Sequence, residues 1–260
     1  MTGVSLPEKP VSRERYWEID FLRGTAVTMM IVFHIIFDLN FLGIYRIQVY
    51  SGWLGLFAYS IGTLFLLLVG VSLTLSFRRA KKHLDRIQLR WKYLKRGLMI
   101  FGLGLVITAV TLIYPGRGFV IFGVLHCIGL SIILSYPLLP YRRLNLLFGG
   151  TIVIAGAIIS WYTFATPTFV WLGFVPPDFY SIDYFPLLPW FGVVLIGVSL
   201  GNTLYQNHRG VIGEGSIKRI LPVRSFCYLG RHSLVIYLLH QPIILALLSP
   251  FASSIWSLTP

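Results

Sequence analysis

Acidic residues and cysteines are scarce in this sequence. Nine Asp and Glu stand against 22 Lys and Arg in 260 residues, and the formal net charge is +13. Two cysteines, Cys127 and Cys227, are too few for a disulfide framework and indicate no metal site. Residues 1–17 lack the apolar stretch of a cleavable signal peptide, so we expect the first hydrophobic segment to direct insertion itself.

Apolar residues, in contrast, are abundant and lie in long runs. They make up 56% of the chain against 12% charged residues, and the mean hydropathy is +0.76. This composition is typical of a polytopic membrane protein and excludes an ordinary soluble domain. We predict an all-α transmembrane bundle of seven helices, or eight if a piece around Thr163–Pro186 or a tail at Ile255 also enters the membrane. The predicted spans are Ile19–Leu39, Trp53–Phe77, Gly97–Ile113, Phe119–Leu139, Leu144–Tyr162, Leu188–Leu204 and Leu229–Leu248.

The basic charge is distributed unevenly between the predicted loops. A net charge of +13 would suit a nucleic-acid partner, but 20 of the 22 Lys and Arg fall in alternate loops. Only Arg46 and Arg117 fall in the others. This bias follows the positive-inside rule, so it predicts a cytoplasmic N-terminus and no nucleic-acid partner. We expect the plasma membrane of a prokaryote as the location.

The chain divides into one membrane domain and two tails. We predict a cytoplasmic tail over residues 1–17, the membrane domain over 18–250 and a C-terminal tail over 251–260. The inside loop Arg78–Arg96 holds nine basic residues, which suit either a lipid-headgroup anchor or an anionic ligand. The outside segment Thr163–Leu187 is rich in proline and apolar residues, so we expect an ordered cap rather than a helix.

Ionisable side chains form a stripe along the first span. Asp20, Arg23, His34 and Asp38 fall within an arc of about 60°, and Arg23 lies roughly 16 Å from His34 along the axis. Ionisable groups at membrane depth are costly and often mark function. The i,i+4 pair His34 and Asp38 suits a general base whose ring is oriented by a carboxylate. A buried pair that locks helices together is the alternative.

Further candidates lie in other spans. His126 and His240 reach a depth similar to that of His34. A single histidine in a membrane helix more often joins helices by a hydrogen bond, but three at one depth favour a functional site. They come from separate helices without a local ligand motif, so we expect no metal. Asp183 is a candidate for the lip of an outer cavity. Lys95 and Arg96 open the third span from the inside, and they suit snorkelling anchors as well as ligands.

Three blocks of the sequence resemble a known family. Glu18–Gly24 (EIDFLRG), Gly123–Ser131 (GVLHCIGLS) and Gly230–Pro242 (GRHSLVIYLLHQP) are similar to small prokaryotic membrane proteins related to the catalytic domain of heparan-alpha-glucosaminide N-acetyltransferase. The resemblance covers about residues 15–250. The spacing from Arg23-Gly24 to His34 is also similar to that of the O-acetylating membrane acyltransferases.

The resemblance implies transfer of an acyl group across the membrane. Cytoplasmic acyl-CoA, with acetyl-CoA the expected co-substrate, would be held by Arg23, Lys95, Arg96 and Arg231. His34, oriented by Asp38, would deprotonate an amine or hydroxyl of a sugar or glycolipid on the outer face. His126, His240 and Asp183 would position this acceptor or stabilise the oxyanion.

One departure from the family and two other functions remain open. In the animal heparan enzyme the catalytic histidine lies in the loop after the corresponding helix, and asparagine stands at the place of His34. The loop Asn40–Gly52 has no histidine here, so the catalytic prediction falls on His34 itself. A non-catalytic subunit of a larger complex and a proton-coupled transporter are the alternatives. The sequence also leaves a homo-oligomer open.

Overall fold

The computed structural model describes residues 16–46, 48–114, 118–206 and 220–256. In these ranges the chain is a bundle of helices, which confirms the predicted all-α fold. Its α-helices are α1 Trp17–Phe41, α2 Gly52–Ala80, α3 Arg86–Ile113, α4 Val124–Ser135, α5 Arg142–Ile159, α6 Leu187–Leu204, α7 Leu221–Arg231 and α8 Ser233–Trp256.

Six of these helices are long and apolar enough to cross a membrane. They are α1, α2, α3, α5, α6 and α8, the last over Ser233–Ala252. The predicted span Phe119–Leu139 is shorter in the structure, where the apolar helix covers Val124–Leu138 including a terminal 3₁₀ turn. The helix begins later than predicted because Gly118 has a positive φ of 70° and the residues from there to Gly123 are extended or bent.

The last predicted span also begins later than expected. The chain breaks at His232, whose φ and ψ of −103° and 14° are not helical, so that α7 and α8 are separate helices. The helix of the final span therefore starts at Ser233 rather than at Leu229. It continues to Trp256, beyond the predicted end of the membrane domain at residue 250.

The proline-rich segment before α6 holds only a short 3₁₀ helix, Pro167–Leu172, and does not form an additional span. Backbone hydrogen bonds attach it to the stretch before α4, from Ile182 to Gly118 at 2.7 Å and from Phe185 to Phe122 at 2.9 Å. These bonds give the segment backbone partners in place of the helical ones that its prolines prevent.

A buried apolar core joins residues of α2, α3, α4 and α6, and α6 also packs against α5. α1 packs against α2, α7 and α8. We call the end of the bundle that carries the C-terminus of α2 and the N-terminus of α3 the basic end. There, Arg78 of α2 donates to the carbonyl oxygens of Asn202 and Tyr205 and to the Asn202 side chain. These bonds satisfy carbonyls at the C-terminus of α6, which have no partner within the helix.

Candidate functional site

A cleft rich in arginine lies at the end of the bundle where α1 begins. It has a volume of about 240 Å³ and is lined by Tyr16, Ile19, Asp20, Arg23, Ser72, Leu75, Ser76, Arg79, Arg96 and Arg231. We call it the arginine cleft. Arg23 bonds the Asp20 carboxylate at 3.4 Å and donates to the Ser72 hydroxyl. Four guanidinium groups around so small a volume attract a ligand with several negative charges.

Two glycines bring the arginines of this cleft together. A Cβ atom on Gly24 would lie 1.9 Å from the Phe226 carbonyl oxygen, and one on Gly230 would lie 1.8 Å from the Asp20 carbonyl oxygen. Both positions therefore require glycine for the backbones of α1 and α7 to approach. Because Arg23 precedes Gly24 and Arg231 follows Gly230, this crossing places both arginines on the cleft.

The arginine cleft contains three of the four basic residues predicted to hold a cofactor. Arg23, Arg96 and Arg231 line it, whereas Lys95 lines a separate open groove with Ile87, Trp91 and other residues of α3. Adjacent residues of a helix point about 100° apart, which explains why Lys95 and Arg96 diverge.

Sequence reasoning missed the contribution of α2 to the cleft. Ser72, Ser76 and Arg79 recur at helical spacing, i, i+4 and i+7, on one face of that helix. This polar stripe at the end of an apolar span was a usable signal. Arg79 also belongs to the basic loop Arg78–Arg96, and the positive-inside rule alone explains the charge of that loop, so the stripe did not stand out.

A second polar cluster lies farther along α1, near the opposite end of the bundle. The rings of His34 and His240 make an edge contact with centroids 4.7 Å apart. One turn beyond His34, the buried Asp38 accepts a hydrogen bond of 2.7 Å from the side-chain amide of Gln241. The structure thus brings two predicted histidines together across α1 and α8. It adds Gln241, which the sequence reasoning missed although it is a polar residue next to His240 in an apolar span.

The predicted pairing of His34 with Asp38 needs correction. No hydrogen bond joins these two side chains in the part of the chain that the structure describes; Asp38 bonds Gln241 instead. The i,i+4 spacing places the two residues on one face, but the neighbouring α8 offers the carboxylate a closer donor. Asp38 therefore does not orient the His34 ring in this structure.

The protonation of His240 follows from its hydrogen bond. Its Nδ1 lies 2.6 Å from the carbonyl oxygen of Tyr237. A carbonyl only accepts, so Nδ1 carries the proton and Nε2 of the neutral ring keeps a lone pair. This Nε2 is buried and has no hydrogen-bond partner among the described residues. His240 therefore holds the geometry of a proton acceptor.

Buried polar atoms without partners are concentrated in this cluster. Among the described residues they include Nδ1 of His34, Oδ2 of Asp38, Nε2 of His240 and Oε1 of Gln241. Each such atom costs about 1–3 kcal/mol unless it meets a partner. Four together indicate a place that binds water or a polar ligand. We call these four residues the histidine cluster.

His126 is placed differently from the other two membrane histidines. Its Nδ1 accepts from the backbone N–H of Gly123 at 3.2 Å, and its Nε2 lies 3.5 Å from the Thr108 hydroxyl. That hydroxyl donates to the Val120 carbonyl, so it is free to accept from Nε2–H. The ring packs against Phe101 and Phe122. In this structure His126 caps the start of α4.

Asp183 also binds the start of α4. Its Oδ2 accepts from the backbone N–H of Val124 at 3.1 Å and from the Tyr237 hydroxyl at 3.4 Å. Burial raises the pKa of the Asp183 carboxyl to about 6, against the effect of these two hydrogen bonds. Because Tyr237 lies one turn before His240, Asp183 links the α4 terminus to the helix that carries the histidine cluster.

The two sites define a class of protein. Both lie on α1, where Arg23 and His34 are separated by roughly 16 Å along the helix axis. A cationic cleft at one end of a membrane bundle and a pair of imidazoles inside it suit a membrane acyltransferase that takes an anionic donor. No group of three or more His, Cys, Asp or Glu that could hold a metal occurs among the described residues.

Comparison with known families agrees with this class. The sequence profile described as heparan-alpha-glucosaminide N-acetyltransferase, catalytic, matches residues 15–242. The chain belongs to this family, and its function is that of a membrane N-acetyltransferase-like protein. Comparisons with curated proteins and with solved structures found no match.

Proposed function

We propose that the protein transfers an acetyl group from acetyl-CoA, bound at the arginine cleft, to an amine or hydroxyl of a sugar or glycolipid bound at the histidine cluster. The observation that carries this proposal is the placement of both sites on α1, with an unpartnered imidazole nitrogen at the histidine cluster. Family membership supports the acetyl donor, since enzymes of this type use acetyl-CoA.

The arginine cleft suits the donor because CoA carries several phosphate groups. Guanidinium groups bind phosphate through two parallel hydrogen bonds and keep their charge under all physiological conditions. Arg23, Arg96 and Arg231 provide such groups from three different helices, and Arg79 provides a fourth. The pantetheine arm would then extend along α1 towards His34, which places the thioester between the two sites.

The histidine cluster suits the acceptor because Nε2 of His240 carries no proton and can therefore act as a base. The acceptor nitrogen or oxygen would form a bond to the acyl carbon while the C–S bond breaks. The proton that the acceptor loses would pass to Nε2 of His240 or to His34, and CoA would leave as a thiolate that is then protonated. The ring centroids of His34 and His240 lie 4.7 Å apart, so a positive charge on one ring disfavours a positive charge on the other. The two histidines therefore take up one proton between them in this step.

The orientation of the reaction follows from the charge bias. Residues of the basic end belong to loops that the positive-inside rule assigns to the cytoplasm, where acetyl-CoA is made. The acceptor would then approach the histidine cluster from the outer face. We propose the plasma membrane of a prokaryote as the location.

Purified protein in liposomes with radiolabelled acetyl-CoA tests this function. Wild-type protein is expected to form acetylated product from an amino sugar carried on an alkyl chain. His34→Ala and His240→Ala should each lower the rate about 10²–10⁴-fold without changing the Kd of acetyl-CoA, because general-base catalysis contributes that much. His232→Ala is the matched control, since His232 is exposed and its ring nitrogen lies within hydrogen-bond distance of the Tyr228 carbonyl.

Wild-type rates in both cluster variants would contradict the proposal. Proton-driven uptake of a solute without an acetylated product would instead identify a transporter. Stable co-purification with a larger complex, with normal function after His34→Ala, would identify a non-catalytic subunit.

A further inference from the structure

An open groove runs along an exposed face of α3 at the basic end of the bundle. The groove has a volume of about 600 Å³ and is lined by Leu84, Ile87, Gln88, Trp91, Lys92 and Lys95. The buried residues of α3, among them Leu89, Tyr93 and Gly97, lie on the other side of the helix. Because α3 is long and apolar enough to cross a membrane, its exposed face lies against lipid. We call this feature the lysine groove.

Hydrogen-bond donors form one side of the lysine groove. Gln88, Lys92 and Lys95 follow one another at i, i+4 and i+7 on this face. Oε1 of Gln88 accepts from the backbone N–H of Asp85 in the capping box of α3, which leaves the side-chain NH₂ of Gln88 as a donor. Neither lysine forms an ion pair with an acid in the part of the chain that the structure describes. This side of the groove therefore offers three donors and two uncompensated positive charges.

Repulsion between basic side chains adds to the demand for an anion. Lys92 lies three residues before Lys95 and four before Arg96, so three positive charges share about one turn of α3. Like charges at this spacing destabilise a helix. The nearby carboxylate of Asp85 accepts from the backbone N–H of Gln88 at the start of the helix. A negatively charged group in the lysine groove would offset the repulsion.

Apolar side chains form the other side of the groove and continue beyond it. Leu84, Ile87 and Trp91 stand beside the donors. A tryptophan next to lysines is typical of the level at which lipid headgroups meet the hydrocarbon core. The groove thus pairs a cationic side with an apolar side at the depth where a phospholipid has the same two parts.

A notch on α3 extends the groove into the apolar part of the helix. Gly102 lies on the same face as the groove, and nothing is within 4 Å of its Cβ position. Around it stand apolar side chains that are more than half exposed: Leu98, Met99 and Val106. Lys95 and Val106 are roughly 16 Å apart along the axis, which is about half the thickness of the hydrocarbon core. The face therefore has the length of one leaflet.

We propose that the lysine groove binds one anionic phospholipid, with its phosphate at Lys92 and Lys95 and an acyl chain along Gly102. A zwitterionic lipid carries its own cation beside the phosphate and gains less from two uncompensated ammonium groups. A soluble phosphate compound would satisfy the lysines but leave the apolar side and the notch uncovered. This site is separate from the arginine cleft, and its existence does not depend on acetyl transfer.

Native mass spectrometry of the full chain in detergent tests this site. The probes are phosphatidylglycerol and phosphatidylcholine with identical acyl chains. We expect wild-type protein to bind the first phosphatidylglycerol about 10–30-fold more tightly than phosphatidylcholine, because each of two lysines contributes a factor of about five. The double variant Lys92→Gln/Lys95→Gln should lose most of this preference.

A matched variant separates the groove from total charge. Lys81→Gln/Lys82→Gln removes the same charge from the exposed turn between α2 and α3 and should keep the preference for phosphatidylglycerol. An equal loss in this control would overturn the proposal. Equal affinity of wild-type protein for the two lipids would overturn it as well.

Two further measurements test the place of the acyl chain. Gly102→Leu fills the notch and should weaken binding of phosphatidylglycerol several-fold while the preference over phosphatidylcholine remains. Unchanged affinity in this variant would contradict the placement of the chain. Glycerophosphoglycerol, the headgroup without acyl chains, should not displace the bound lipid at equal concentration. Displacement would identify a soluble anion as the ligand and overturn the lipid site.

Discussion

At the scale of single residues, the structure separates side chains that the sequence treats alike. His34, His126 and His240 are all histidines in apolar segments at similar predicted depth. Two of them contact each other, whereas the ring nitrogens of His126 lie against the Gly123 N–H at the start of α4 and the Thr108 hydroxyl of α3. Lys95 and Arg96 are likewise adjacent in sequence and line different surfaces. Residue type and spacing identified the candidates, but the neighbouring helix determined which contacts each of them makes.

The pair Lys95 and Arg96 offers a matched test of donor binding. Arg96→Ala should weaken acetyl-CoA binding about tenfold, because it removes a guanidinium from the arginine cleft and a hydrogen bond to a charged group is worth about 1.5–3 kcal/mol. Lys95→Ala removes the same charge from the outside of α3 and should change the Kd less than twofold. Isothermal titration of acetyl-CoA against protein in nanodiscs measures both. Equal effects would show that total charge, and not the cleft, binds the donor.

The pKa of Asp183 predicts a dependence of stability on pH. The carboxyl shifts from an ordinary 3.8 to about 6 because of burial, so its charged form is penalised in the folded state. Its contribution to stability is fully present below about pH 4 and is lost as the pH rises through about 6. Asp183→Asn should abolish this component and raise Tm by about 2–4 °C at pH 7.5.

Thermal unfolding of the two proteins at pH 5 and pH 7.5 measures this component. Asp178→Asn is the control, since that carboxylate is exposed in the same segment. A difference between the two pH values that is as large in Asp183→Asn as in wild-type protein would contradict the assignment.

At the scale of elements, the crossing of α1 and α7 is the contact that assembles the arginine cleft. Gly24 and Gly230 lie in two of the blocks that resemble the family, and an arginine adjoins each of them. The structure provides the reason: each glycine faces a backbone carbonyl of the other helix at a distance that leaves no room for a side chain. The arginines next to them are placed on the cleft by this close approach.

Replacing Gly230 should therefore open the crossing. A Cβ atom there would lie 1.8 Å from the Asp20 carbonyl oxygen, so the helices must separate. Gly230→Ala should cost about 1–3 kcal/mol of stability or more and should weaken acetyl-CoA binding as Arg231 moves away. Gly102→Ala is the control, because nothing lies within 4 Å of its Cβ position. There the change should be neutral or slightly stabilising. Thermal unfolding in detergent compares the two variants.

At the scale of the whole molecule, the charge bias predicts an orientation. Loops at the basic end should face the cytoplasm, and the turn between α1 and α2 should face outside. Cysteine labelling tests this in a background where the buried Cys127 and Cys227 are replaced by alanine. In intact cells a membrane-impermeant maleimide should react with Ser51→Cys, while Lys82→Cys should react only after permeabilisation. The reverse pattern would invert the proposed direction of transfer.

The sequence by itself determined the class of fold and most of the candidates. Long apolar runs with alternating basic loops allow little besides a helical membrane bundle, because backbone groups in a bilayer must be satisfied within each helix. Spacing along α1 likewise predicted the polar stripe. The exceptions were local: His232 breaks the last predicted helix, and Gly118 and Gly123 shorten α4.

Tertiary structure alone decided which polar groups meet. The partner of Asp38 is Gln241 rather than His34, and the cleft includes Arg79 but not Lys95. These pairings depend on the rotation of each helix about its axis and on how closely two backbones approach. Helix rotation and backbone approach both depend on the packing of the whole bundle, so neither can be read from a local sequence pattern. For the same reason, the arginine cleft and the histidine cluster form only when α1 packs against its neighbours, which include α7 and α8.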